Sequence, residues 1–419
     1  MKVQVQKSKL EGEIIVSGAK NNALRLVVAS LLSKEEVLFT NVPVAILDMQ
    51  VQLQMLEYLG KTIHIENDKV KITEAATLKT DLIWDKRSIR NTLLVLGSLL
   101  ARHNKGKVPL PGGCQLGDRK YDIHVYIMEK MGAQVWEENG YLCAESKQRL
   151  TGCDLFLPIR STGATENGIL MGCLAQGKTK IWNPHIRPEI IDMIKFLNKM
   201  GAKIKVNGQE SIEIDGVDEL NISTTHRCIP DNMEALTFAI ATAITGGEVE
   251  IHDFPFKDLE IPMIHLRESG MKYYQSNDNR SLIVKQGNIY PIEIATGPYP
   301  AINSDMQPLF GAYGLFATGK SKIIDLRFAG RYAYAEEFKK LGAKTYIDNE
   351  FLIIEGDRSI NLQGAETTAL DLRAGAALVL TGLNINGITL IDNFEQVLRG
   401  YSGFIEKLQS VGAKIELMR

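Results

Sequence analysis

Residues 109–120, Pro-Leu-Pro-Gly-Gly-Cys-Gln-Leu-Gly-Asp-Arg-Lys, set one cysteine in surroundings that could make it reactive. Two prolines and three glycines exclude both helix and sheet interior, so the segment reads as an exposed loop. Cys114 is then the exposed member of five cysteines, while Cys143, Cys153, Cys173 and Cys228 read as small core residues. Arg119 and Lys120 follow five and six residues later, and cations so placed could lower the thiol's pKa and hold an anion beside it. A loop cysteine standing alone is more often incidental, so Cys114 needs company. No C-x-x-C pair or His-associated cluster occurs, which points away from a zinc site and from a disulfide framework.

Company comes from cations in unusual places. A helix N-terminus carries a partial positive charge, so Lys or Arg in the first turn costs about 0.3–1 kcal/mol. Yet Lys20 opens one expected helix in Ser17-Gly18-Ala19-Lys20-Asn21-Asn22, Arg90 another in Ser88-Ile89-Arg90-Asn91, and Arg373 a third in Asp371-Leu372-Arg373-Ala374. Any one of them reads equally well as a solvated side chain. Three in register suggest helix ends whose amides and cations converge on a strongly anionic ligand. Arg160-Ser161-Thr162-Gly163 opens a further helix with small residues that let amides approach a phosphate closely, although a plain helix cap explains that string equally well. Two other helices open with Asp231-Asn232 and Ser304-Asp305, which read as ordinary caps.

These starts are positioned by an internal repeat. A helix ending in Gly and followed by an alternating strand recurs at Gly60, Gly132, Gly201, Gly270, Gly342 and Gly412, at intervals of 69 to 72 residues. Each glycine is expected in the left-handed region that ends a helix. Between these marks an apolar helix, a Gly-containing turn and a β-branched strand also recur, in 22–39, 91–110, 164–182, 233–251, 306–324 and 374–391. Six units with two helices and several strands each predict an α/β chain of two pseudo-threefold lobes, three units per lobe, since one unit cannot cover its own apolar faces. An open solenoid is less apt, because the usual period there is about 20–50 residues. The repeat also rejects two literal phosphate-loop strings, 172–179 and 314–321. Each closes an apolar helix and opens a strand, the reverse of what a phosphate loop requires.

Bulk properties agree with a soluble two-domain enzyme. The 419 residues exceed what one core usually serves. With 48 basic against 50 acidic residues the net charge is −2, which offers no general field for nucleic acid or an anionic membrane. No run reaches the roughly 20 apolar residues of a membrane span, and the first residues lack a signal-peptide pattern, so a cytoplasmic protein is expected.

Gly18-Ala19-Lys20-Asn21, Pro111-Gly112-Gly113-Cys114 with Arg119, Ser304-Asp305-Met306-Gln307, Asp371-Leu372-Arg373-Ala374 and Arg399-Gly400-Tyr401 together resemble, in order and spacing, the UDP-N-acetylglucosamine 1-carboxyvinyltransferase family. The resemblance runs end to end. It implies the inside-out α/β barrel fold of enolpyruvyl transferases, with an active site between a lobe of residues 21–229 and one of residues 1–20 and 230–419. It further implies transfer of the enolpyruvyl group of phosphoenolpyruvate to the 3'-hydroxyl of UDP-N-acetylglucosamine, the first committed step of peptidoglycan precursor synthesis. By the same resemblance Lys20, Arg119 and Arg399 hold phosphoenolpyruvate, while Asn21, Arg90 and the Ser161–Thr162–Gly163 turn with Arg160 face the nucleotide sugar. Asp305 takes the hydroxyl proton, Cys114 is the acid and the fosfomycin-sensitive position, and Arg327, Arg331 and Arg373 support substrate and charge. Neither metal nor organic cofactor is implied, and a monomer or weak homo-oligomer is expected.

Some positions depart from that pattern. The family's Arg-Glu-Pro-Glu is Ile186-Arg187-Pro188-Glu189, its Pro-Asp-Arg is Pro230-Asp231-Asn232, its Glu-Asn-Arg-Phe is Ala329-Gly330-Arg331-Tyr332, and Lys120-Tyr121 follow Arg119 in place of Pro-Val. They suggest, as alternatives, altered lobe closure or a paralogue using another nucleotide or nucleotide-sugar acceptor. 3-Phosphoshikimate 1-carboxyvinyltransferase shares the fold but lacks the Gly-Gly-Cys loop. A non-catalytic nucleotide-sugar binder is opposed by the joint presence of Lys20, Cys114, Asp305, Arg373 and Arg399.

Overall fold

The repeat glycines do what a residue without Cβ allows. All six adopt φ between +89° and +115°, a region costly for other residues. Each ends a helix, and strands follow at Lys61–Glu66, Gln134–Glu138, Lys203–Asn207, Lys272–Gln275, Lys344–Asp348 and Lys414–Met418. The computed structural model that carries these elements describes residues 1–75, 77–112, 121–356 and 361–418.

The third repeat shows the common plan. Strand Asp154–Phe156 leads into helix Thr162–Leu174, and the chain returns as strand Lys178–Trp182, parallel to the first and joined to it through the helix. Helix Pro188–Lys199 follows, then an antiparallel pair, Lys203–Asn207 and Ser211–Asp215, whose second strand docks on Lys178–Trp182. Four other repeats build the same four-stranded sheet. In the second repeat the sheet has three strands, and the first strand's place is marked by a single bridge between Asp81 and Lys107.

One helix per repeat is central: Lys20–Ala29, Thr92–His103, Thr162–Leu174, Asn232–Thr245, Gln307–Gly314 and Leu372–Gly382. Most of their residues are buried because other elements surround them. Every residue of Gln307–Gly314 and of Leu372–Gly382 is buried. Their sequences therefore lack the polar stripe of a surface helix.

The chain divides into two compact units, Met1–Ser17 with Pro230–Arg419, and Gly18–Ile229. Each has its own apolar core. Strand exchange across the sequence explains the division. Lys2–Gln6 lies antiparallel between Ile388–Asp392 and Lys414–Met418, and Glu11–Ile15 lies parallel to Glu248–His252. Thr224–Arg227 likewise returns to pair with Val37–Thr40 and completes the first repeat.

Both phosphate-loop strings lie where the repeat puts them. Residues 172–179 end helix Thr162–Leu174 and enter strand Lys178–Trp182, and residues 314–321 end helix Gln307–Gly314 and enter strand Gly319–Ile324. Two sequence expectations need correction. Cys153 is only half-buried, its thiol directed at the Lys130 carbonyl, whereas Cys143, Cys173 and Cys228 are buried. Ser304 and Asp305 do not cap: helix Gln307–Gly314 begins after Met306 with no side-chain cap, because Asp325 accepts the Ser304 hydroxyl. Asp231 does cap, accepting from the amides of Met233 and Glu234 at 2.8 and 3.0 Å.

Candidate functional site

In the unit Gly18–Ile229 the candidate residues that the structure describes lie at the N-terminal ends of its three central helices. Lys20 is the first residue of its helix, and its buried ammonium stands 3.4 Å from Asp48 Oδ2. Asp48 occupies the first turn of helix Leu47–Leu59, where the dipole favours an anion. That carboxylate lets a cation persist at an unfavourable helix start. Asn21 comes next and is half-buried, and its Oδ1 accepts from Arg25 Nη1 at 3.4 Å. Arg90 precedes helix Thr92–His103 by two residues, so it borders the helix rather than occupying its first turn. The cap residue Asn91 donates to the Leu24 carbonyl and to Gln52 Oε1, tying the first and second helix starts together.

At the third helix start Ser161 is the cap, its Oγ accepting from the Ala164 amide. Thr162 Oγ1 lies 2.8 Å from His185 Nδ1, and Arg160 Nε donates to Asn183 Oδ1 at 3.3 Å. Gly163 approaches His124 closely: a Cβ there would stand 3.0 Å from His124 Nε2, so the ring would have to give way. Asn167 Nδ2 donates to both the Leu93 carbonyl and His124 Nδ1. An amide nitrogen cannot accept, so Nδ1 is the acceptor and the ring proton sits on Nε2, toward Gly163. Burial, with Arg90 nearby, lowers the His124 pKa to about 3, so the ring is neutral near pH 7. Cys114 and Arg119 lie outside the described residues.

Arg187, where the family pattern has an acid, forms a two-pronged pair with Glu189 in its own helix, Nε and Nη2 at 2.6 and 2.7 Å. Burial alone would raise the Glu189 carboxyl, but the guanidinium outweighs it and holds the pKa below its ordinary value. The reversed charge is therefore answered locally.

In the other unit Arg331 is the organising cation. Its Nη1 donates to Asp305 Oδ1 at 2.9 Å and to Ser304 Oγ at 3.1 Å, and its Nη2 donates to Asp371 Oδ2 at 3.1 Å. Burial opposes the charge, yet the two carboxylates outweigh it and raise the guanidinium's pKa. Asp371 also caps helix Leu372–Gly382, its Oδ1 accepting from the amides of Arg373 and Ala374. Asp305 remains about a third exposed, at 35% of its side chain, so an incoming hydroxyl can reach it.

Arg373 is 2% exposed, and its Nε and Nη1 have no partner, while its guanidinium carbon lies 4.8 Å from the centre of the Tyr401 ring. An arginine buried with donors unmet suits a site that supplies an anion. Arg399 is buried at the end of helix Glu395–Leu398, Nη1 donating to Gln396 Oε1 at 2.9 Å. Arg327 is exposed, its guanidinium carbon 5.8 Å from the centre of the Phe328 ring, and its backbone amide donates to Asp325. Asp48, Arg25 and Glu166 were not singled out from sequence. The four-residue spacing of Asn21 and Arg25 on one helix face was a signal, but nothing local marks Asp48 or Glu166.

Within each unit, then, cations and amides gather at helix starts. One unit adds a reachable carboxylate held by a doubly paired arginine. Such a set can bind phosphate and carboxylate groups and accept a proton. Among the described residues no helix is long and apolar enough to cross a membrane.

The sequence profile of the EPSP synthase (3-phosphoshikimate 1-carboxyvinyltransferase) family matches residues 5–408. The chain is 39% identical to the UDP-N-acetylglucosamine 1-carboxyvinyltransferase of Gluconacetobacter diazotrophicus, covering 98% of this chain and 97% of that protein. It is 38% identical to UDP-N-acetylglucosamine 1-carboxyvinyltransferase 2 of Bacillus subtilis, over 97% and 94% of the two chains. Among solved structures, the enolpyruvyl transferase NikO from Streptomyces tendae superposes with a TM-score of 0.88 at 23% identity, covering 99% and 98% of the two chains. EPSP synthase from Acinetobacter baumannii superposes with a TM-score of 0.76 at 20% identity over the full length of both. These two likenesses concern the fold.

Proposed function

The chain belongs to the EPSP synthase family, and on that premise we propose that it transfers the enolpyruvyl group of phosphoenolpyruvate to the 3'-hydroxyl of UDP-N-acetylglucosamine, releasing phosphate. The observation that carries this choice of acceptor is the 39% identity, over 98% of the chain, to a protein named for that reaction. The Gly-Gly-Cys loop supports it too, since the shikimate branch lacks one. In this reading the enzyme is cytoplasmic and serves peptidoglycan precursor synthesis.

The residue types suit the steps. A proton from Cys114 adds to the methylene carbon of phosphoenolpyruvate and makes its C2 electrophilic. The sugar hydroxyl oxygen bonds to C2 while Asp305 takes the hydroxyl proton. The tetrahedral adduct then returns a proton from the new methyl group to the Cys114 thiolate and loses phosphate from C2, which restores the double bond. Lys20, Arg119, Arg373 and Arg399 balance the charge of the carboxylate and departing phosphate. Asn21, Arg90 and residues 160–163 hold the nucleotide sugar. The Arg331 bridge keeps Asp305 aimed and shares its charge with Asp371.

The test is phosphate release from phosphoenolpyruvate with UDP-N-acetylglucosamine, compared with other uridine nucleotides. Release that needs the N-acetylglucosamine compound supports the reading. Release with another nucleotide alone would reassign the acceptor, and tight nucleotide binding without any release would favour a non-catalytic binder. Cys114→Asp should retain turnover but escape alkylation by fosfomycin, because a carboxylic acid can donate the proton without offering a thiol.

A further inference from the structure

Asn21 can bind an acceptor in two ways, depending on which end of its amide points outward. The structure settles the choice through a neighbour that has no acceptor atoms. Arg25 lies one helical turn on, and its Nη1 faces Asn21 Oδ1 at 3.4 Å. A guanidinium only donates, so the amide oxygen must face inward and the amide NH2 outward.

Arg25 is itself anchored across the unit. Its Nε donates at 3.0 Å to Oε1 of Glu166, a residue 1% exposed on the third central helix. The other carboxylate oxygen of Glu166 is buried without a partner. Burial raises the Glu166 carboxyl's pKa, and Arg25 is the largest influence opposing that rise. A buried acid with one oxygen unmet is a costly way to pack two helices. It becomes intelligible if its task is to hold the guanidinium still.

We propose that Arg25 is a positioning residue for the acceptor substrate, locking Asn21 so that its amide NH2 is presented to an oxygen lone pair of the nucleotide sugar. This rests on the reading that Asn21 faces the acceptor. The recognised group is then a hydroxyl or carbonyl oxygen, and a donor-only group at that point is disfavoured.

Arg25→Lys is the discriminating change. A lysine still reaches Glu166 and keeps the buried ion pair, but one ammonium cannot span to Asn21 as the planar fork does. Acceptor affinity by calorimetry and steady-state constants with phosphoenolpyruvate and UDP-N-acetylglucosamine would be measured for the intact chain, Arg25→Lys, Asn21→Ala and the double variant. Arg25→Lys should raise the acceptor Kd and KM on the order of tenfold, the worth of one well-placed hydrogen bond. KM for phosphoenolpyruvate and the melting temperature should stay near their starting values. In the Asn21→Ala background the same change should add nothing, because the residue acts through Asn21. Losses that simply add would overturn the proposal and leave the proposed function standing. Absence of UDP-N-acetylglucosamine binding to the intact chain would overturn both. If Arg25→Lys is insoluble, Glu166→Gln replaces it, since the Gln carbonyl can still accept from Arg25 Nε. The expected rise in acceptor KM is then smaller, with the same loss of effect beside Asn21→Ala.

Discussion

At the scale of single residues, two arginines of the Met1–Ser17 and Pro230–Arg419 unit, Arg331 and Arg373, make contrasting predictions. Arg331 meets Asp305 and Asp371 through different nitrogens, so a lysine cannot hold both carboxylates. Arg331→Lys should therefore lower kcat on the order of a hundredfold, in the range expected when a proton acceptor is mis-set. The KM for UDP-N-acetylglucosamine should change far less, and steady-state kinetics checks the split. Arg373 has two buried nitrogens without a well-formed hydrogen bond, a cost that attraction to Tyr401, Asp231 and Asp305 offsets. Arg373→Met keeps the apolar stem beside Tyr401 and removes both the unmet donors and those attractions. Thermal melting should show a Tm within about 2–4 °C of the starting value, equivalent to about 1 kcal/mol for a unit this size. Turnover should nevertheless collapse. A marked drop in Tm would mean that Arg373 is a structural strut and not a group kept for an anion.

At the scale of elements, His124 couples helix Asp122–Lys130 to the start of helix Thr162–Leu174 and so makes that junction sensitive to acid. Its pKa is about 3 in the fold against an ordinary 6.5, so between these values the unfolded chain binds the extra proton. Stability from the buried neutral ring is fully present above about pH 6.5 and is lost progressively as pH falls toward 3. His124→Gln keeps an oxygen acceptor for Asn167 but cannot titrate. Its Tm should fall less steeply than that of the unaltered protein between pH 7 and pH 4, and parallel slopes would refute the assignment. The same junction shows what a linear chain reveals. The cap at Ser161 was legible because a capping string is local, whereas the approach of Gly163 to His124 was not, since that contact spans two repeats. The six repeat glycines were legible because a positive φ at a helix end restricts residue type, and they brought the architecture with them. Ser304 was misread as a cap because capping strings are local, whereas Asp325, 21 residues on, claims its hydroxyl. Glu166, 141 residues from Arg25, left no trace a single sequence could offer.

At the scale of the whole molecule, the arrangement of strands dictates which pieces can fold alone. The unit Gly18–Ile229 is one continuous stretch with its own core and with all its sheets paired internally. The other unit is not continuous, and the piece it takes from the N-terminus is structural. Lys2–Gln6 is an interior strand, bonded on both sides, and Glu11–Ile15 completes a second sheet. Residues 230–419 alone would expose three unpaired strand edges, on Ile388–Asp392, Lys414–Met418 and Glu248–His252, and the core beneath Val3 and Val5, both 0% exposed. We expect residues 18–229 to give a cooperative thermal transition when expressed alone, while residues 230–419 aggregate or remain molten. The register supplies the rescue. Lys2 pairs opposite Met418, so the chain ends of this unit meet across one antiparallel pair. A permuted chain running from 230 to 419, through a short glycine linker, into residues 1–17 should restore cooperative melting and dispersed amide resonances. A strand this central must be supplied for the sheet to close, so a permuted chain no more ordered than residues 230–419 would show that the unit also depends on residues 18–229. An isolated 18–229 segment that fails to melt cooperatively would show that its separate core is insufficient.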